Sequence, residues 1–162
     1  MGLLDWLGET FSDAPEWKGK RFEKYVLNLF DEKYFDLEHK TPSFRENSER
    51  FVKSSLNPDF ILTYKPTKET FAVEAKYRSG LNPKNMLEWC RPDQLKRYNE
   101  FKAKERIPVY IAIGFGGYDD DPADMFLIPL EEAKYPTLYP SVFNKYSRNP
   151  KKAFFWKNGK LY

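Results

Sequence analysis

Apolar residues recur at Phe22, Tyr25, Val26, Leu29 and Phe30. That is the i, i+3, i+4, i+7, i+8 spacing of one helix face, and it predicts a helix from about Lys18 to Lys33. Upstream, Leu3, Leu4, Trp6 and Leu7 make a short amphipathic turn that breaks at Pro15. Residues 1–17 therefore read as an arm and 18–162 as one domain. Tyr34-Phe35-Asp36-Leu37 opens a strand, whereas Thr41 to Asn57 is polar and reads as a loop with room for one short element.

Two strands follow. Asp59 to Tyr64 is mostly apolar, Lys65-Pro66-Thr67-Lys68 turns the chain, and Glu69 to Tyr77 alternates in the strand manner. Residues 79–90, with Gly80, Asn82 and Pro83, read as a loop. Pro92 suits the first turn of a helix reaching about Lys104. Ile107 to Ile113 is an apolar run of strand length, expected to be buried on both faces and ended by Gly114, Gly116 and Gly117. An acidic loop, Asp119 to Asp124, precedes a short strand at Met125 to Ile128. Residues 154–162 read as a hairpin, because Asn158-Gly159 favours the type I′ turn. The order predicts a mixed sheet flanked by helices, α/β or α+β.

Composition narrows the class. The chain has 162 residues, 41% of them apolar and 31% charged, too many core-formers for disorder and too many charges for a membrane protein. The longest apolar stretch, Ile107 to Phe115, contains Pro108 and Gly114 and is far short of a span. The first residues lack the basic n-region and cleavage site of a signal peptide, and Trp6 stands where a myristoylation motif has Ser or Thr. The one cysteine, Cys90, forms no internal disulfide, and a reducing, cytoplasmic setting is the expectation.

Net charge is only +3, but it is unevenly spread. Residues 1–17 carry −4, 119–132 carry −6, 74–106 carry +4 and 145–162 carry +6. The two basic segments suit a face that follows a phosphate backbone, or ordinary solvated surface. Arg78, Arg91, Lys96 and Arg97 are the residues expected to meet nucleic acid. On the second helix Tyr98 and Phe101 interleave with basic residues, and backbone contact and a solvated face both fit.

The candidate chemistry lies in Pro58-Asp59, fourteen intervening residues, and Glu74-Ala75-Lys76. In a strand Glu74 and Lys76 point to the same side, and hairpin pairing would bring Asp59 beside them. Two adjacent carboxylates repel unless a cation lies between them, and hard oxygen ligands suit Mg²⁺. A neighbouring lysine can orient a metal-bound water or offset transition-state charge. Taken separately, Glu74 and Lys76 also describe a same-face ion pair, and Asp59 a turn residue.

This set resembles the PD-(D/E)xK nuclease superfamily, the restriction-endonuclease-like fold, over residues 18 to about 130. The resemblance includes Glu23 on the first helix, Gln94 on the helix after the motif strand, and Pro108 to Gly114 as the next core strand. It implies that Asp59, Glu74, the Ala75 carbonyl and Glu23, the last directly or through water, bind Mg²⁺ or Mn²⁺. It implies that Lys76 positions the attacking water and that Gln94 orients Lys76 or touches a phosphate. Without it, Glu23 is an acid favoured by the helix dipole and Gln94 a solvated residue near a helix start. The implied activity is metal-dependent hydrolysis of phosphodiesters, in DNA because most relatives cut DNA, with a homodimer required for double-strand or junction cleavage. The alternative is a catalytically silent nucleic-acid-binding or accessory domain on the same fold.

His39 is the only histidine, which excludes sites needing several, and it reads as a surface residue. Cys90 reads as structural. Gly114-Phe115-Gly116-Gly117 lacks the Lys-Ser/Thr of a phosphate-binding loop and reads as a turn.

Overall fold

The computed structural model describes residues 15–40 and 57–162; within these the side chains of residues 15–18 and 39 are left undescribed. The expected arm at Leu3–Leu7 and the polar loop from Thr41 lie outside the described residues, as does the side chain of His39.

Helix α1 spans Pro15–Asn28. It begins three residues before the expected start, with proline in the position where its missing N–H is harmless. It also ends earlier. Leu29 and Phe30 donate to Val26 and Leu27 at 3.1 Å, tightening the last turn, and the Asp31 carbonyl collects Tyr34 and Phe35. The bend turns Phe30 inward, its ring 4.5 Å from Phe154 and 5.1 Å from Phe35. Burial of that ring outweighs continuation of the helical period.

Strand β1 is Phe35–Lys40, β2 Phe60–Tyr64 and β3 Glu69–Arg78. A short β4, Leu87–Glu88, lies in the expected loop and precedes α2, Pro92–Glu105. Strands β5, Val109–Tyr118, and β6, Asp121–Pro129, form a long hairpin. Then come β7, Thr137–Leu138, the short α3, Pro140–Phe143, and β8, Ser147–Arg148. The chain closes with β9, Trp156–Lys157, and β10, Lys160–Leu161. Asn158 and Gly159 between them have φ of 53° and 74°, the left-handed pair a type I′ turn requires.

The main sheet has the order β1-β2-β3-β5-β6-β8. All its pairs are antiparallel except β3 with β5, which run parallel through the α2 crossover. Phe71, Val73, Tyr110 and Ala112 pack against Phe22, Val26, Phe30 and Trp156 on the α1 face. Ala72, Ile111, Ile113 and Ile128 pack against Tyr98, Phe101 and Trp89 on the α2 face. Two-sided burial explains the continuous apolar run of β5. Among the described residues no helix is long and apolar enough to cross a membrane.

The glycines of β5 do not end it. The strand runs to Tyr118, and the acidic stretch is a tight turn at Asp119–Asp120 followed by β6. Gly117 has φ +61°, and a Cβ there would stand 2.6 Å from the Asp121 carbonyl, so only glycine permits this tight return. Gly114 serves another purpose: a Cβ would lie 2.4 Å from the ring of Phe22, which is wholly buried. Gly114→Ala is therefore expected to cost about 1–3 kcal/mol by overpacking. The melting temperature should fall by roughly 3–10 °C; an unchanged value would show that α1 is not seated on Gly114.

Candidate active site

Phe60 pairs with Val73 across β2 and β3, which brings Asp59, just before β2, level with Glu74. The two residues are cross-linked. The Asp59 N–H donates to Glu74 Oε2 at 3.0 Å, and the Ala75 N–H donates to Asp59 Oδ2 at 2.8 Å. Each carboxylate takes a main-chain donor from the opposite strand, so neither side chain is free to swing away.

Glu74 is only 5% exposed although it is charged. A carboxylate so placed needs donors, and Tyr98 provides one, its OH 2.7 Å from Oε1. Lys76 Nζ stands 3.1 Å from the same oxygen, with its side chain 15% exposed, and 6.0 Å from the Tyr98 ring. Trp89 stacks on Tyr98 at 5.9 Å and holds it in place. Tyr98 belongs to the site although the sequence reading placed it on a basic helix face. Leu95, Tyr98 and Phe101 share the apolar face of α2, a spacing that marks Tyr98 as inward-facing but does not name Glu74, on the sheet face α2 covers, as its partner. The same environment pushes the Tyr98 phenol far up, through burial first and the Glu74 charge second.

The acids act on one another. Burial, then the Glu74 charge, pushes Glu23 up to about 7, with Lys40, Lys20 and Lys76 pulling it back. The Asp59 carboxyl is held well above the usual carboxylate range by burial, then by Glu74 and Glu23; the Ala75 N–H and Lys76 oppose this. Three acids from separate parts of the chain thus share one poorly solvated region, where burial and mutual repulsion outweigh the nearby lysines for Glu23 and Asp59. Among the described residues no three His, Cys, Asp or Glu side chains gather closely enough to enclose an ion by themselves. Asp59 and Glu74 do fit a cation that binds through one or two carboxylates and keeps several waters. Repulsion among the acids is the deficit such an ion would relieve.

The other expected residues are placed differently. The Gln94 amide oxygen accepts from the Arg91 N–H at 3.0 Å, closing the first turn of α2; no hydrogen bond joins it to Lys76 among the described residues. Arg78 donates to the carbonyls of Glu88, Trp89 and Tyr77 at 2.6 to 2.7 Å. It clamps the end of β3 to β4 and the strand-to-helix connection. Arg91 pairs with Asp93 at 3.1 Å, Arg97 with Asp93 at 3.6 Å, and Lys96 with Glu100 at 3.9 Å. These are exposed or half-exposed contacts of small energetic worth. Cys90 is buried beside the site, and burial pushes its thiol up to about 12 despite Lys76 and Arg78. Asp119, from the acidic stretch, is buried and bonded to Arg21 of α1 at 2.8 Å.

The mixed sheet flanked by helices is that of a restriction-endonuclease-like fold. No protein-family model matches the sequence, and no curated protein matches it. Among solved structures the chain is similar to Archaeoglobus fulgidus Hjc, a Holliday junction resolvase from an archaeal hyperthermophile. The two are 18% identical, with 86% of this chain and 99% of that one covered, at a TM-score of 0.55. At that identity the likeness is one of fold.

Proposed function

We propose that this protein is a metal-dependent nuclease of the PD-(D/E)xK superfamily that hydrolyses phosphodiester bonds in DNA. The observation that carries the reading is the Asp59–Glu74 pair: two mutually repelling acids locked together by main-chain donors, with Lys76 on the same strand face. A protein assembled for stability alone gains little from buried like charges. The fold shared with a junction resolvase supports DNA as substrate and favours a branched or otherwise distorted form, read by structure rather than by sequence.

In this reading Asp59, Glu74 and the Ala75 carbonyl hold Mg²⁺ or Mn²⁺, with Glu23 joining through water. Bound there, the cation would supply a nucleophile at neutral pH and neutralise charge on the phosphoryl oxygens. Lys76, held by Glu74 and shielded by Tyr98, keeps its ammonium aimed at the reacting phosphate and positions the attacking water. Tyr98 and the Asp59 N–H fix the Glu74 carboxylate. Arg91, Lys96 and Arg97 meet the phosphate backbone at the start of α2, whereas Arg78 acts by holding the strand end. One such site cuts one strand, so resolving a junction takes a homodimer.

The test is incubation of the purified protein with supercoiled, linear, single-stranded and branched DNA in Mg²⁺, Mn²⁺ or EDTA. Cleavage that requires metal is expected, fastest on branched DNA. Inertness on every substrate would transfer the fold to a silent binding or accessory role.

A further inference from the structure

The sheet face opposite α2 carries a second feature. The C-terminal hairpin buries Phe154, Trp156 and Leu161, and Trp156 Nε1 donates to Glu69 at 2.7 Å. Glu69 begins β3, so this end of the sheet lies roughly 17 Å along the strand from Glu74. The outward side of the hairpin is different. Phe155 and Tyr162 exchange main-chain hydrogen bonds at 3.0 and 2.8 Å. Their rings lie 5.0 Å apart and nearly parallel, at 12°. They remain 40% and 42% exposed.

Lys152 sits over the Phe155 ring at 5.0 Å and Lys160 over Tyr162 at 5.3 Å. Lys157, on the same hairpin, is exposed. Residues 145–162 contain no acid, so these cations have no carboxylate within the segment. Arg148 is the exception to their freedom, since it donates to the Lys152 carbonyl at 2.7 Å and lies over Phe154. Cross-strand ring pairing stabilises a hairpin, but it does not require two half-exposed rings with lysines over them and a third lysine beside them, none in an ion pair among the described residues. Flat faces among cations are complementary to a strand of unstacked bases and phosphates.

We infer that the hairpin is a second nucleic-acid contact, binding single-stranded DNA by stacking a base on Phe155 and Tyr162 and pairing phosphates with Lys152, Lys157 and Lys160. The inference rests on the reading of the protein as acting on DNA, and it assigns the basic C-terminal segment a role apart from the basic helix α2, which lies on the other face.

The test is binding of a fluorescent oligothymidylate to the full chain in EDTA across a salt series, with cleavage in Mg²⁺ measured beside it. Replacing Lys152, Lys157 and Lys160 together by Gln should make the slope of log K against log salt shallower by about 2, at about 0.7 per phosphate contact. Phe155→Ala with Tyr162→Ala should weaken binding about tenfold with the slope kept. The lysine variant changes only exposed side chains, so it decides the matter even if the aromatic variant unfolds. Unchanged binding by the lysine variant, in a wild-type protein that cuts DNA, would overturn the hairpin contact and leave the nuclease reading standing. A wild-type protein that neither binds nor cuts would overturn both. Preference for phosphatidylserine vesicles over the oligonucleotide would make the surface a lipid contact and overturn the inference.

Discussion

Asp59→Asn is expected to lower metal-stimulated cleavage by about 10²–10³-fold or more while leaving the protein folded. The substitution is nearly isosteric. The amide oxygen can still accept the Ala75 N–H, now at 2.8 Å from Oδ2, so the join between β2 and β3 survives. What disappears is one of the two charges that would hold a cation. Lys76→Ala should lose about 10²–10⁴-fold, the range for a positioned proton-handling group. Lys76→Arg should not restore activity, because a planar fork cannot replace a compact ammonium 3.1 Å from Glu74 Oε1. Tyr98→Phe belongs between these and wild type, at about 10–100-fold, since it removes only a bond that orients a ligand. Single-turnover cleavage of branched DNA, with circular dichroism as the folding control, measures all four. Full activity in Asp59→Asn would end the two-carboxylate assignment.

The gradation follows from how much of the site is written locally. Asp59, Glu74 and Lys76 were legible because strand alternation and one hairpin suffice to bring them together, and both are short-range properties of the sequence. Tyr98 was not, because its contact with Glu74 depends on which face of the sheet α2 covers, a choice made by the β3-α2-β5 crossover. Gln94 shows a local competition instead. Its position in sequence suits a phosphate contact, yet its amide also satisfies the first turn of its own helix, and the near partner holds it. The early end of α1 has the same origin as the Tyr98 contact. The helical period continued through Phe30, but the pocket formed by Phe35, Phe71 and Phe154 is a tertiary product. The glycines of β5 read as an ending because isolated glycines usually punctuate strands. Here one admits the Phe22 ring and another the tight return into β6.

The mutual repulsion of the acids makes a second large effect measurable without any substrate. Metal-free protein is expected to lose stability as pH rises from 5 to 7.5, and divalent cation to cancel the loss. The sign follows from the direction of the shifts. Glu23 has an ordinary value of 4.5 and about 7 in the folded chain, so the native state holds its proton more tightly than the unfolded state. Stability from that proton is fully present below 4.5 and is lost as pH climbs through 7. At 1.36 kcal/mol per pH unit, Glu23 contributes on the order of 2–3 kcal/mol. Asp59, also raised, adds with the same sign. Acids held below their ordinary values, such as Glu131 beside Lys102, act the other way, but their window lies below pH 4.5. In EDTA the melting temperature should therefore fall by roughly 4–10 °C between pH 5 and 7.5. Millimolar Mg²⁺ should flatten the profile by binding only the folded, deprotonated site. Glu23→Gln should remove much of the slope, and Asp59→Asn should raise the metal-free melting temperature at pH 7.5 even as it sharply lowers cleavage. A protein stabilised by losing the group its chemistry needs carries that group for function. A flat profile in EDTA, or one unchanged by Glu23→Gln, would instead mean that the three acids are already neutralised within the fold and that no cation is called for.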